Sequence, residues 1–469
     1  MAPKRRASSS TAAEAGGKRV KREPETPLKP EDGEVYEDYD CLLNLTNIAK
    51  NNNKFYVIQV RKEGPDCFHT WTSWGRVGYK GQNISSNFTT VGEAIEKFEK
   101  KFKDKIGTNW SDRDNFVSHP GKYTLIDVDG EVKVESMDGS LCTSDKPTQE
   151  LMELIFSNDM FKKAMEEMNL APPLDKLSEK QIMKGSKVLK EIEHALNQTS
   201  EPSNLEELSS EFYTNIPHDF GNSRPPTIDS KEIIEKKKEM LLVLKDIKLA
   251  KRLKLETANA QEVSQPVNQR ILTLLDKTSE RYKIIENYLK QTKGSDSNPK
   301  IINVWEVNQP TEGERFRENH HLENRRLLWH DTNIAVVAAI LKNGLRIKPH
   351  SGRQGIYFAS EYGKCKLHTF NNKGIMFLYE VVLGEEHTIT TDNSSLMNPP
   401  DGFNSVVARG RVEPDPSQDV FITLDGKKVA VPQGPAIEQS QYQNSSFHNS
   451  EYRIYKESQC CIRYLLLLK

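Results

Sequence analysis

Three short strings in the last third of the chain constrain its fold more than any other feature. They are Leu-Leu-Trp-His-Asp-Thr (327–332), Gly-Ile-Tyr-Phe-Ala-Ser (355–360) and Ser-Glu-Tyr-Arg-Ile-Tyr (450–455). Each reads as a short apolar strand, and each carries one polar or aromatic side chain of interest: His330, Tyr357 and Glu451. A fold that sets these strands around one cleft supplies what a nucleotide needs. The imidazole bonds a ribose hydroxyl, the phenol ring stacks on a flat base, and the carboxylate polarises a hydroxyl or stabilises a sugar cation. Taken singly, a His, Tyr or Glu on a strand is more often structural; the ordered conjunction points to a site.

The pattern around these strings is mostly β. Asp425-Gly426 between two apolar runs is a two-residue hairpin signal. Residues 375–384 and 462–468 are long apolar runs of the buried-strand kind, and 333–343 carries a helical pattern ended by Gly344. Further towards the N-terminus, residues 36–135 alternate like a sheet and then place Ala94, Ile95, Phe98 and Phe102 at helical steps. Residues 146–290 are helical by period, through Leu151, Ile155, Phe161 and Met165, then Ile182, Leu189 and Ile192, then Ile233, Met240, Leu244 and Ile247. Pro172-Pro173 and Pro225-Pro226 punctuate that stretch. The fold class is therefore multidomain α+β, and 469 residues suit about three domains of ~150 residues each.

Charge and cysteine usage narrow the setting. Residues 1–30 hold eight Lys/Arg against three Glu and hardly a large apolar side chain, so a disordered basic tail is expected over 1–35. Its clusters Lys4-Arg5-Arg6 and Lys18-Arg19-Val20-Lys21-Arg22 read as a bipartite nuclear import signal, which makes the nucleus the expected location. The six cysteines, at 41, 67, 142, 365, 460 and 461, form no Cys-x-x-Cys, so neither a disulfide framework nor a metal site is expected. No apolar run approaches the ~20 residues of a membrane span. Nothing indicates an oligomer, and a monomer is expected.

The strings resemble the His-Tyr-Glu signature of the poly(ADP-ribose) polymerase family, and other segments carry the likeness along the chain. Trp74-Gly75-Arg76, with Asn51 to Tyr56 and Phe116 to Tyr123, resembles the WGR domain. Residues 212–221, read as a loop, resemble part of the family's helical regulatory domain. The implied organisation is a WGR domain at 36–135, a helical regulatory domain at 146–290 and a β-rich ADP-ribosyltransferase domain at 291–469. Together they are most similar to a short, mono-ADP-ribosylating kind within the DNA-damage-dependent group.

The resemblance implies NAD+ as substrate and transfer of single ADP-ribose units to acceptor proteins, the chain itself and histones among them. His330 and Thr332 would hold the ribose of adenosine, Tyr357 would stack on nicotinamide, and Asp331 and Arg353 would line the donor pocket. Glu451 would bond the nicotinamide ribose and polarise the acceptor. Trp74 and Arg76 would meet DNA strand breaks, at 5′-phosphorylated ends or nicks. Residues 36–135 hold fourteen Lys/Arg and fifteen Asp/Glu, too even a balance to coat a duplex. DNA recognition there would rest on a few geometric contacts.

Three departures from the family pattern bear on activity. Asp331 stands where the family has Gly, and a required positive φ would strain it. The loop 351–355 is about three residues short. The stretch between Ser360 and Met376 is also short, and two registers fit it. Ungapped counting puts Cys365 at an amide-bonding Ser and His368 at a second stacking Tyr. A gap after Glu361 instead makes Tyr362 that ring, brings Gly374 and Met376 into line, and is preferred. Either way one amide contact is lost, at roughly 1–3 kcal/mol. Two function classes follow: a DNA-stimulated transferase with a weakened donor site, or a nuclear DNA-break-binding scaffold whose transferase has decayed.

Overall fold

The computed structural model describes residues 33–129, 145–170, 177–198, 204–259, 271–295, 298–347, 354–393 and 395–469. Residues 1–32 of the basic tail and Arg353 lie outside them.

The first unit is an antiparallel sheet in the order β4-β3-β2-β1-β5, from β1 (Glu34–Asn47), β2 (Asn52–Gly64), β3 (Cys67–Arg76), β4 (Gln82–Phe88) and β5 (Thr124–Ile126). Helix α1 (Val91–Ile106) covers one face, because Ala94, Phe98, Phe102 and Ile106 recur at four-residue steps and are wholly buried. Gly107, with φ 85°, ends it, and its N–H bonds the Lys103 carbonyl at 2.8 Å.

The second unit is all helix: α2 (Lys146–Ile155), α3 (Asn158–Glu167), α4 (Glu179–Asn197), α5 (Leu205–Asn215) and α6 (Lys231–Asn259). Asp145, Ser157 and Ser178 cap the first three by accepting the N–H three residues on. Residues 212–221 are not all loop as expected. Phe212 to Asn215 complete α5, since Phe212 and Tyr213 drive both rings into the bundle core at 0% exposure.

Helix α7 (Glu280–Thr292) was expected to belong to this bundle. It packs instead on the next sheet, where Tyr282, Ile285 and Tyr288 share a core with Leu327 and Trp329. Strand β6 (Leu272–Leu274) also pairs into that sheet, so the structural join falls before residue 272 rather than near 290.

The third unit continues with β7 (Ile301–Val307), α8 (Pro310–Phe316), β8 (Arg325–Asp331), α9 (Val337–Asn343), β9 (Ile356–Ala359), β10 (Thr369–Phe370), β11 (Lys373–Val382), β12 (Glu386–Ile389) and β13 (Ser405–Ala408). It ends with β14 (Val412–Pro414), β15 (Val420–Leu424), β16 (Lys427–Val431), β17 (Ala436–Glu438), β18 (Glu451–Ile454) and β19 (Cys460–Leu468). The main sheet runs β12-β13-β18-β9-β8-β11-β19-β7-β6. Apolar runs on β11 and β19 pair along their length at its centre, which fixes the neighbours that carry the chemistry. The expected hairpin forms at Asp425-Gly426, both at positive φ, between β15 and β16.

The units are joined, not strung. Asn44 Nδ2 donates to the carbonyls of Tyr213 and Thr214 at 3.0 Å each, and Asn53 Nδ2 to that of His218 at 2.8 Å. Trp305 Nε1 donates to Thr148 Oγ1 at 2.8 Å, linking the bundle to the last sheet. One apolar cluster runs from Leu42 and Phe55 through Leu189 and Ile247 to Leu328 and Phe377. Among the described residues no helix is long and apolar enough to cross a membrane.

Candidate active site

His330, Tyr357 and Glu451 fall on three neighbouring strands, β8, β9 and β18. Arg453 lies opposite Tyr357 and Glu451 opposite Ala359, while β8 and β9 share the single pair Trp329–Ala359 and then diverge. His330 lies just beyond that pair, in the wedge, where its Nδ1 meets the Tyr357 carbonyl at 2.9 Å. Phe358 and Tyr379 back the ring, with centroids 5.4 and 5.8 Å away. Alternation along β18 buries Tyr452 and Ile454 in the core and turns Glu451 and Arg453 to the other face. There Tyr357, Glu451 and Arg453 line one depression, closed by Ile389, Val406 and Phe447. The structure thus brings Tyr357 and Glu451 to one surface and ties His330 to Tyr357 through the backbone.

A buried polar clamp sets Glu451. Its neighbours Ser450 and Tyr452 both donate to the carboxylate of Glu413, which also takes Ser360 Oγ at 3.2 Å. Arg409 balances that carboxylate at 3.6 Å, and burial with the adjacent Glu413 charge pushes the Tyr452 hydroxyl far above its ordinary pKa. Asn449 Nδ2 donates to Glu361 Oε1 at 2.8 Å, and Glu361 is itself raised above the usual carboxylate range by burial. The residues flanking the Glu451 carboxylate are therefore held by bonds to Glu413 and Glu361. Gly355 enters β9 at φ 120°, where a Cβ would stand 2.7 Å from the Ile454 carbonyl, so only Gly fits this turn.

Two residues that sequence reasoning missed complete the site. Lys364 Nζ lies 2.7 Å from Glu451 Oε1, in partly exposed surroundings. Arg453 is 6% exposed, donates from Nη1 to Tyr357 Oη at 2.9 Å, and lies over the rings of Tyr357 and Tyr455 at 5.5 and 5.0 Å. The signal for Arg453 was present: two residues after Glu451 on a strand is the same face. For Lys364 there was no local signal, because its partner lies on a distant strand.

Tyr362 corrects the preferred register. It was expected as a second stacking ring, yet it is 4% exposed and packs edge-on to Trp329 at 5.6 Å, inside the core shared with α7. Burial pushes its hydroxyl up to about 12. An aromatic side chain next to that apolar core gains more by burial than in an open cleft, so Tyr362 is a core residue here, and Cys365 packs against the same cluster. Asp331 ends β8 opposite Met376 and is not among the positive-φ residues, so no backbone strain arises there. Burial, with the charge of the Asp331 carboxylate added, pushes the Cys365 thiol above its usual range. Thr332 is buried at 9% exposure.

Trp74 and Arg76 sit at one end of β3. Trp74 stacks on Tyr56 at 5.9 Å and is half-buried. Arg76 is fully engaged: Nη1 donates to the Asn51 carbonyl at 2.9 Å, Nη2 to Asn51 Oδ1 at 3.0 Å and the Ser223 carbonyl at 2.7 Å, and Nε to the Gly221 carbonyl. Gly78 packs so closely on Asp219 that any Cβ would overlap the carboxylate. The loop after α5 therefore sits directly on the Trp-Gly-Arg turn.

Comparison with known proteins agrees along the chain. Residues 39–117 match the WGR domain, 142–270 the poly(ADP-ribose) polymerase regulatory domain and 279–469 the poly(ADP-ribose) polymerase catalytic domain. The chain is 48% identical to "Protein mono-ADP-ribosyltransferase PARP3" of Mus musculus, over 97% of this chain and 93% of the relative. The Homo sapiens protein of the same name is 47% identical, over 95% and 91%. "Poly [ADP-ribose] polymerase 2" of Homo sapiens is 33% identical, over 95% and 82%.

Proposed function

Since this chain belongs to the poly(ADP-ribose) polymerase family and is an NAD+-dependent mono-ADP-ribosyltransferase, we propose that it is switched on by DNA strand breaks and acts in nuclear DNA repair. The observation that carries the switch is the joint between Arg76 and the loop after α5. A 5′-phosphate at a nick or end is a stronger acceptor for a guanidinium than the carbonyls of Gly221 and Ser223. Taking Arg76 for DNA loosens the loop, then α5, and so the bundle that adjoins the catalytic sheet.

In the catalytic step Tyr357 stacks on the nicotinamide ring and His330 holds the ribose. Loss of nicotinamide places positive charge on the ribose carbon, and Glu451 faces that charge, stabilising it electrostatically. Glu451 then accepts a hydrogen bond from the acceptor hydroxyl. Lys364 competes for the same carboxylate, so substrate binding has to displace it. That pair, rather than strain at Asp331, is the feature that supports a slow basal rate. Acceptors are protein side chains, on the enzyme itself and on histones.

The test is nicotinamide release by the full chain, with and without a 5′-phosphorylated nicked duplex, with Glu451→Ala as control. Release stimulated by the nick and absent from the variant is expected. Tight DNA binding with unchanged release would overturn the switch and leave a sensor whose domains are uncoupled.

A further inference from the structure

At the end of the β2–β3 hairpin, far from the Trp-Gly-Arg turn, Glu63, Cys67 and His69 converge on one point. Cys67 and His69 share a strand face because they are two apart. Glu63 joins them through a register shift: Lys62 pairs with Phe68 and Gly64 with Cys67, leaving Glu63 as the extra residue of a bulge. Phe68, between the two ligand-type residues, points into the core on the opposite face.

We propose that these three residues form a zinc site. Zinc takes thiolate, imidazole and carboxylate together, at about 2.3, 2.05 and 2.1 Å, and in a tetrahedron the edges S–N and S–O are then each about 3.6 Å. Cys67 Sγ lies 3.7 Å from His69 Nε2, so the S–N edge is already in place, and 3.4 Å from Glu63 Oε2. His69 Nε2 meets the other carboxylate oxygen, Oε1, at 2.8 Å, so the Glu63 carboxylate has to turn until one oxygen stands about 3.6 Å from Sγ and about 3.4 Å from Nε2. The exposed Glu63 side chain can give that.

The supporting contact points the same way. His69 Nδ1 meets Asn87 Oδ1 at 3.0 Å across β4, which holds the ring and leaves Nε2 facing the cluster. A metal-binding histidine is commonly oriented by such a bond through its other nitrogen. Binding expels the Cys67 thiol proton to solvent, and Zn2+ with one thiolate and one carboxylate is neutral. The fourth position stays open. Nine residues along β3 separate Cys67 from Arg76, about 30 Å, so the ion would brace the hairpin and not the DNA contact.

Zn2+ affinity and stoichiometry, measured on the full chain by competition with a chromophoric chelator, test this. One equivalent is expected, and Co2+ in its place should give a thiolate-to-cobalt absorption band. Cys67→Ser and His69→Ala should each remove that band, and Asn87→Ala should weaken zinc by about 10–100-fold. Glu63→Gln alters an exposed side chain without touching the core, so it serves if the others misfold, and it too should weaken zinc at least tenfold. Absence of saturable binding, or binding unchanged in Glu63→Gln and in folded Cys67→Ser, would overturn the site and leave a plain Glu63–His69 ion pair.

Discussion

Arg453→Met isolates an electrostatic effect inside the donor site. The guanidinium lies 5.5 Å from the centroid of Tyr357 and has no ion-pair partner among the described residues. A nicotinamide ring stacked on the far face, about 3.5 Å away, puts its positive charge about 9 Å from Arg453. At an effective dielectric of about 20 this repulsion is roughly 2 kcal/mol, or about 20-fold in affinity. When the bond to nicotinamide breaks, the charge moves to the ribose, about 3 Å further off, relieving about 0.5 kcal/mol, or roughly twofold in rate. Methionine keeps the length and the packing but drops the charge, along with the bond to Tyr357 Oη. We expect KM for NAD+ to fall by about tenfold or more while kcat falls about twofold, and a neutral nicotinamide-like competitor to gain nothing. The assay is steady-state nicotinamide release on the nicked duplex. A raised KM with unchanged kcat would refute the reasoning and reduce Arg453 to a prop for the Tyr357 hydroxyl.

Two further perturbations probe the joint and the core. Arg76→Lys cannot span Gly221, Ser223 and Asn51 at once, so it should cost about 1–2 kcal/mol at this partly exposed joint and speed hydrogen exchange at 219–223. DNA affinity should weaken as well, and exchange that does not change would count against the coupling. Glu312 is fully buried and raised to about 7 by desolvation, which outweighs the N–H groups of Leu345 and Ile462 and the charge of Arg315. Its folded pKa exceeds its unfolded value, so the folded state holds the extra proton and stability falls as pH rises from about 4.5 to 7, by up to about 3 kcal/mol. Relative to Glu312→Gln, the unfolding midpoint of the parent chain should therefore decline across that window and level off above it; parallel curves would refute this.

Much of the architecture is written locally. Phe98 and Phe102 at helical spacing give α1, Asp425-Gly426 gives its hairpin, and the apolar runs at 375–384 and 462–468 give the two central strands. These depend on backbone preference and on a repeating apolar face, which neighbouring residues alone specify. The strings around His330, Tyr357 and Glu451 likewise name their strands. Other assignments needed partners distant in sequence. Tyr362 reads equally well as a cleft ring or a core ring, and Trp329 and α7 decide for the core. Helix α7 has the period of the bundle before it, yet its apolar face matches the sheet after it. Lys364 and Glu451 are 87 residues apart, and no local pattern announces that their charges meet.

The sequence by itself determined which segments become most of the strands and helices, because that follows from local spacing, and its strings named the candidate side chains by their resemblance to the family. Only the tertiary structure decided what those side chains face: Lys364 on Glu451, Arg453 beneath Tyr357, Arg76 on the loop after α5, and Glu63 turned by a bulge towards Cys67 and His69. Charge pairing and burial act through space between residues far apart in the chain, so they come into being only when the strands pair and the domains close.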